Sequence, residues 1–416
     1  MFRPLKGLLS GLVRNGDLTF VDHRGAAYRF GDGTGSPVCV RLTGKRVELE
    51  LVFDPELAAG KAYMMGHLII ERGTLYDFLS LMMRGAAQSP LPLWTQSASL
   101  ARRLTRRIAQ YNPISRARRN VIQHYDIDPR MYELFLDSDR QYSCAYFADG
   151  TDLENAQLSK KRHIAAKLQL QPGQRILDIG SGWGGLALYL AQYGQGNVTG
   201  ITLSAAQLEA SRARAMAMNI SVHVDFKPWD YREITGQFDR IVSVGMFEHV
   251  GITHYGEFFR AIARHLAPDG LGLIHTIGRL DRPAATNPFV ARYIFPGGYI
   301  PALSEIMKSI ESSGLLLTDV EVLRLHYAET LECWRERFAA RRAEAVAIAG
   351  EEFCRMWEFY LAGSEAAFRY QGLVVFQLQL AKSLTTLPVM RDYIRDAERQ
   401  LAFRDQGKPE RPRLAS

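Results

Sequence analysis

The chain has 416 residues, enough for two domains with substantial cores. Its 47% hydrophobic and 23% charged content is that of a globular protein, and the lack of any run of about 18 apolar residues excludes a membrane-spanning helix. The net charge of +7 is local: no acid occurs from Phe78 to Tyr125, where Arg84, Arg102, Arg103, Arg106, Arg107, Arg116, Arg118 and Arg119 cluster.

The N-terminal "MFRPLKGLLSGLVRNG" has a short, interrupted apolar stretch with no small-x-small cleavage site after it, so it is not read as a signal peptide. "LTFVDHRGAAYRF" and "VCVRLTGKRVELELVF" alternate like strands around the turn "GDGTGSP", and "TLYDFLSLMM" predicts an apolar helix. In "ASLARRLTRRIAQY", Leu100, Leu104 and Ile108 make an apolar stripe flanked by arginines, the pattern of a helix on an anionic membrane surface or of a solvated helix packed on its domain. No recognisable nucleic-acid module accompanies it, so no nucleic-acid partner is expected.

From about residue 172, short apolar strands alternate with amphipathic helices: "RILDIG", "LALYLAQYG", "NVTGITLS", "AAQLEASRARAMAMN", "SVHVDF", "DRIVSVGMF", "YGEFFRAIARHLAPDG" and "LGLIHTIG". This alternation predicts an α/β fold with a mostly parallel sheet covered on both faces. "SEIMKSIESSG" reads as helix, "LLLTDVEVL" as strand, Ala328 to Arg369 as two helices, and "LVVFQLQLAK" as a late antiparallel edge strand. The expected division is 1–120, a smaller mixed α/β N-terminal domain with the basic linker helix; 121–400, the catalytic domain; and 401–416, a polar tail.

"LDIGSGWGG" ends a strand and opens a helix, with Gly180, Gly182 and Gly185 in G-x-G-x-x-G spacing. Such a turn lets a cofactor approach the backbone, but nicotinamide and S-adenosylmethionine (SAM) proteins both use it. A nicotinamide site wants an acid at the end of the next strand, and an ordinary SAM methyltransferase often has one, but "GITLS" has none. Asp178 precedes the glycines, and in "PWDY" Asp230 offers an acceptor to an adenine amine beside the flat face of Trp229. The four cysteines, Cys39, Cys144, Cys333 and Cys354, form no C-x-x-C pair, which favours a reducing, cytoplasmic setting. Cys144, in "QYSCAYF", is open to reading as a nucleophile, a ligand, a disulfide half or a pocket wall. "EHVGITH" lacks the helix-face spacing of a zinc pair, so no metal is expected, and His249 is read as a packing or orienting residue.

"QYSCAYF", "DIGSGWGG", "GITLSAAQ", "FDRIVSVGMFEHVG", "YIFPGGYIP" and "HYAETLECWRERF", in this order, resemble the cyclopropane-fatty-acyl-phospholipid synthases and the related mycolic-acid cyclopropane synthases, from about Tyr125 to Ser383. One departure is Ser181, where many members have Cys. The resemblance implies a SAM-dependent methyltransferase fold, Rossmann-like with a seven-stranded sheet. It implies transfer of a methylene unit from SAM to the cis double bond of an unsaturated phospholipid acyl chain. The carbocation so formed needs a dry site, and Tyr142, Tyr146, Phe247 and Tyr299 are candidate aromatic faces for it.

The resemblance further implies a bound bicarbonate as the base, with Cys144, Glu248, His275, Ile277 and Tyr327 around it. Backbone N–H groups of Cys144 and Ile277 and the side chains of His275 and Tyr327 would donate, and Glu248 would accept from the bicarbonate hydroxyl. Cys144 is then a wall residue. Cofactor contacts carried over are Tyr142, Ser143, Gly180, Gly182, Thr202, Leu203, Gln207 and Trp229, with Asp230 added from the residue reading. The protein is expected in the cytoplasm, peripheral at the inner membrane surface, with phospholipids as partners and a homodimer left open. The alternatives are a SAM methyltransferase that yields methyl- or methylene-branched chains, one that acts on a small soluble molecule, and a non-catalytic lipid-binding protein that keeps the fold.

Overall fold

The computed structural model describes residues 1–89, 102, 105, 110–113, 127–148, 150–194 and 196–407. The N-terminal part runs α1 (Arg3–Leu12), β1 (Leu18–Val21), β2 (Ala27–Phe30), β3 (Val38–Leu42), α2 (Lys45–Phe53), α3 (Pro55–Met64), β4 (Leu68–Arg72) and α4 (Leu75–Gln88). Its sheet has the order β2-β1-β3-β4, with β1 and β3 parallel and the outer pairs antiparallel. The α4 helix starts at a reciprocal cap: Asp77 N–H donates to Thr74 Oγ1 at 3.1 Å and Thr74 N–H to Asp77 Oδ2 at 2.8 Å.

One element departs from the alternation reading. "VELELVF" is the helix α2, not a strand. A strand would put Val47, Leu49 and Leu51 on one face, yet Leu49 is 37% exposed while Glu48 is buried. Val47, Leu51 and Val52 face the core at helical spacing. Glu48 is accommodated because its carboxylate accepts from Phe2 N–H at 2.9 Å and pairs with His23 Nδ1 at 2.6 Å.

The larger part follows as α5 (Pro129–Glu133), α6 (Leu153–Lys167), β5 (Arg175–Ile179), α7 (Gly185–Gly194), β6 (Asn197–Ile201), α8 (Ala205–Ala217), β7 (Val224–Lys227), β8 (Phe238–Val244), α9 (Tyr255–His265) and β9 (Leu266–Arg279). It ends with α10 (Leu303–Glu311), β10 (Leu316–Val322), α11 (His326–Ala340), α12 (Arg342–Tyr370), β11 (Leu373–Ala381) and α13 (Asp392–Asp405). The seven strands lie in the order β10-β11-β9-β8-β5-β6-β7, parallel except for β11, which is antiparallel to both neighbours. This is the expected Rossmann-like architecture, a mostly parallel seven-stranded sheet.

β11 is therefore interior rather than an edge strand. Its residues from Val374 to Ala381 are all buried, and the edge is taken by the half-buried β10. The polar tail also begins later than residue 401. Leu401 and Ile394 bury one face of α13 in the core, and Asp405 pairs with Arg162 at 2.7 Å.

The two parts share a core: Ala58 of α3 and Phe78 and Leu79 of α4 belong to one buried cluster with Trp334 of α11 and Trp357 of α12. Of the clustered arginines, Arg102 is bound to Asp54 at 2.9 Å and Glu56 at 3.1 Å, and Arg84 lies 5.5 Å over the Tyr370 ring. The other six, the basic helix they were expected to form and the boundary at residue 120 lie outside the described residues. No helix among the described residues is long and apolar enough to cross a membrane.

Candidate active site

Two cavities meet at the C-terminal ends of the central strands, where ligands bind in open α/β sheets. The first, about 160 Å³, is lined by all nine expected cofactor residues: Tyr142, Ser143, Gly180, Gly182, Thr202, Leu203, Gln207, Trp229 and Asp230. The second, about 300 Å³, is lined by Cys144, Glu248, His275, Ile277 and Tyr327. Tyr142, Ser143, Gly245 and His249 line both.

The glycine turn shapes the first cavity. Gly180 has φ of 82°, and a Cβ there would sit 2.8 Å from Met246 Cβ. Gly182 has φ of 53°, and a Cβ there would meet nothing within 4 Å, so its backbone faces open space. The third motif glycine, Gly185, serves packing: a Cβ would lie 2.3 Å from Asp139 Oδ2. Thr202 Oγ1 donates to Gln207 Oε1 at 3.0 Å, tying the end of β6 to α8. Lys227 Nζ covers the Trp229 ring at 4.3 Å. An open glycine edge, an indole face and buried amide and hydroxyl groups fit a nucleoside with an amino-acid tail such as SAM.

Asp230 carries less freedom than the adenine reading assumed. Its two oxygens accept from Arg232 Nε at 2.6 Å and Nη2 at 2.9 Å, and it caps the short helix Tyr231–Glu233. Asp178 is more isolated: burial pushes its carboxyl up to about 7, against the lowering effect of Lys160, and its Oδ2 has no hydrogen-bond partner.

The segment "QYSC" joins the cavities and is held from behind. Lys160 of α6, fully buried, donates to Ser143 Oγ and to Gln141 Oε1, both at 2.7 Å. Burial drives its ammonium down to about 8. Gln157 Nε2 donates to Ser143 O at 3.0 Å, and Tyr142 shares a 3.0 Å hydrogen bond with Tyr360. Neither Lys160 nor Gln157 was singled out from the sequence. They lie in a polar helix whose sequence shows no distinct apolar face, and only the burial of α6 reveals them.

In the second cavity, Glu248 sits on the short turn Phe247–His249 after β8. Ile277 N–H donates to its Oε1 at 2.6 Å. That amide was expected to donate to an anion; it is instead engaged by the carboxylate. Glu248 Oε2 and His275 Nε2 are buried with no hydrogen-bond partner. Burial pushes the Glu248 carboxyl up to about 7 and holds His275 well below its ordinary range, so His275 is neutral. An acceptor and a ring nitrogen left orphaned beside one cavity fit a small polar guest with both donor and acceptor atoms, as bicarbonate has.

Cys144 is 1% exposed, and its Sγ donates to Ala145 O at 3.2 Å. Burial pushes its thiol well up, so it is no thiolate nucleophile. All four cysteines are free. His249 is half-buried, its imidazole pushed down to about 4 by desolvation, with its ring 5.8 Å from that of Phe295.

Of the four aromatic candidates for the carbocation, Tyr142 and Tyr299 line the second cavity. The other two do not. Tyr146 is stacked between His163 at 4.3 Å and His326 at 4.8 Å, and Phe247 is packed on Tyr255 at 4.3 Å inside the core. Their aromatic faces are used for packing. The remaining lining is mostly apolar, including Met83 of α4, Phe289, Phe359 and Phe368, with Glu56 of α3 and Arg279 as charged members.

Residues 113–378 match the family described as Mycolic acid cyclopropane synthetase. The chain is 35% identical over 354 residues to the Cyclopropane-fatty-acyl-phospholipid synthase of Escherichia coli (strain K12), covering 84% of this chain and 89% of that protein. It is 41% identical over 270 residues to a Probable fatty acid methyltransferase of Pseudomonas putida, 63% of this chain and 68% of that one. The solved mycolic acid cyclopropane synthase CmaA1, complexed with SAH and CTAB, superposes with a TM-score of 0.61 at 32% identity, over 65% of this chain and 99% of that chain. With the fold and both cavities in place, the chain is a SAM-dependent methyltransferase that belongs to the mycolic acid cyclopropane synthetase family.

Proposed function

We propose that this enzyme transfers a methylene unit from SAM to the cis double bond of an unsaturated phospholipid acyl chain and closes a cyclopropane ring. The observation that carries the reading is the meeting of a cofactor-shaped cavity with a larger, mostly apolar one at Tyr142 and Ser143, beside the orphaned polar atoms of Glu248 and His275. An alkene is a weak nucleophile, so holding it in line with the methyl supplies much of the rate. The apolar lining excludes water that would capture a cation.

SAM supplies the methyl group when bound, held by Gly180, Gly182, Thr202, Leu203, Gln207, Trp229, Tyr142 and Ser143, with Asp230 keeping the adenine end in shape through Arg232. Bicarbonate, where bound, supplies the base. Glu248 Oε2 accepts the hydroxyl of such a guest, His275 Nε2–H and the Tyr327 hydroxyl donate to it, and Cys144 walls the site. Ile277 acts one step back, by orienting Glu248. The faces of Tyr142 and Tyr299 border the cation.

Residues 1–120 form the lipid-associated part and its arginines draw the cytoplasmic enzyme to the inner membrane surface, at roughly 1 kcal/mol per cation near anionic lipid. Vesicle binding that weakens with salt is the expected result. Binding unchanged at high salt would remove the electrostatic docking.

The decisive experiment is mass spectrometry of fatty acids after the purified protein is incubated with SAM and vesicles of cis-monounsaturated phospholipid. A gain of one methylene with a ring at the former double bond is expected. The similarity to a probable fatty acid methyltransferase supports a second reading, in which the same cation ends as a branched or methylene chain. Unchanged lipid under conditions where SAM binds would overturn both.

A further inference from the structure

Strand β11 carries two buried glutamines on one face, Gln377 and Gln379, in an otherwise apolar run. Their hydrogen bonding differs. Gln379 is satisfied at both amide atoms: Nε2 donates to Lys167 O at 2.7 Å and to Tyr393 at 2.9 Å, and Oε1 accepts from Thr318 at 2.9 Å. It is a structural residue. Gln377 is 0% exposed, and its Oε1 has no partner. Its side chain bonds one group, Nδ1 of His275, at 3.2 Å from Nε2. The two residues are directly opposite each other in the antiparallel register of β11 and β9.

A buried amide that leaves its oxygen unpaired is destabilising, and an apolar side chain of the same shape would avoid that cost. The bond to His275 offsets it only if that bond does something the core does not need. With the amide nitrogen as the atom at 3.2 Å, the amide donates and Nδ1 is the accepting, unprotonated nitrogen. In a neutral imidazole the single proton then resides on Nε2, which is buried without a hydrogen-bond partner on a ring that lines the cavity shared with Glu248.

We infer that Gln377 is a positioning residue for the methyl-transfer site: it fixes His275 as the Nε2–H tautomer, so that the ring presents a donor, not an acceptor, to the guest beside Glu248. The chemistry is selective. An Nδ1–H tautomer would set a bare ring nitrogen against the acceptor oxygens of an anion. This rests on the proposed function for the use made of that N–H, but the tautomer itself is independent of it.

The test uses the full-length protein with ¹⁵N-labelled histidine. Multiple-bond proton–nitrogen correlation spectra distinguish a protonated from a bare ring nitrogen, and the His275 signals are assigned by their loss in His275→Asn. Wild type is expected to show protonated Nε2 and bare Nδ1. In Gln377→Glu the carboxylate can only accept, so Nδ1 becomes protonated; in Gln377→Met the tautomers mix. Both variants should lose ring-forming turnover by about 10- to 100-fold, as outer-shell partners of histidines do, with SAM affinity retained. Protonated Nδ1 with bare Nε2 in wild type would overturn the inference, even if no variant folds. So would variants with unchanged His275 signals and unchanged turnover. A wild type with protonated Nε2 that makes no lipid product would overturn the proposed function and leave the tautomer standing.

Discussion

Ile277 and Glu248 are joined by a 2.6 Å hydrogen bond from the backbone N–H of one to Oε1 of the other, while Glu248 Oε2 has no partner. The carboxylate is therefore divided: one oxygen is anchored to β9 and the other is presented. Glu248→Gln keeps the anchoring carbonyl but turns the presented atom into a donor. Turnover should fall by about 10²- to 10⁴-fold, the scale of a lost acid–base partner. SAM affinity by calorimetry should not change, because Glu248 does not line the cofactor cavity. Weakened SAM binding in this variant would show that the two cavities are not separable.

The same substitution should stabilise the fold. Burial raises the Glu248 carboxyl from 4.5 to about 7, so between those values the native state holds a proton that the unfolded state has lost. Stability therefore falls as pH rises through that window and levels off above it. Glu248→Gln removes this loss and should gain about 3 kcal/mol at pH 8 and nothing at pH 4. Asp178, raised from 3.8 to about 7, leaves a residual slope of the same sign. Activity runs the other way: it needs the ionised carboxylate and should rise with pH through about 7. Thermal melts and turnover, measured across the same buffers, check both.

Gly180 and Gly182 should respond differently to alanine. At Gly180 the new Cβ collides with Met246, 2.8 Å away, so Gly180→Ala should lower the melting temperature as well as SAM binding. At Gly182 the Cβ enters open space, and only the positive φ costs, about 1 kcal/mol. Gly182→Ala should stay folded and bind SAM about tenfold or more weakly, because the methyl occupies cofactor volume. Equal melting temperatures for the two variants would contradict this.

Lys160→Met should uncouple the "QYSC" segment. It deletes the 2.7 Å bonds to Gln141 and Ser143 and leaves their oxygens buried, a loss of about 1–3 kcal/mol in the local structure. SAM affinity and turnover should both fall, in contrast to Glu248→Gln. Hydrogen exchange across residues 140–147 should accelerate. Unchanged exchange there would show that the segment is held by its aromatic contacts alone.

Alkylation separates the cysteines. Cys144 and Cys354 are buried and Cys39 and Cys333 half-buried. Limited treatment of the native protein, read by peptide mass spectrometry, should modify Cys39 and Cys333 first. Cys144→Ser should retain more than about a tenth of wild-type turnover, since a wall residue is replaced by one of similar size. Loss of all turnover would restore the nucleophile.

The parallel half of the fold was legible because each strand and helix there carries its own period, and Gly180 and Gly182 mark the turn that shapes the first cavity. The misreadings share a cause. "VELELVF" has both periods, and the buried Glu48, held by Phe2 and His23, decided for helix; that is a tertiary contact. β11 alternates like an edge strand because Gln377 and Gln379 are polar, yet both are buried against partners on other elements. Tyr146 and Phe247 belong to motifs of the resemblance, but a motif gives adjacency along the chain and not the direction of a ring. Lys160 left no signal, since nothing in a helical pattern separates a solvated lysine from a buried one that donates to Ser143 and Gln141.

The larger cavity takes only Glu56 from α3 and Met83 from α4; most of its wall, including Phe289, Phe359 and Phe368, comes from residues 284–373, on both sides of Tyr327. Wall and reacting end are thus written largely in the same stretch of the gene. Recombination that exchanges the first ninety codons would leave most of the wall in place, and a substitution that reshapes the wall falls close to the reacting residues. Among descendants of one such gene, drift in substrate preference should be coupled to drift in reaction type.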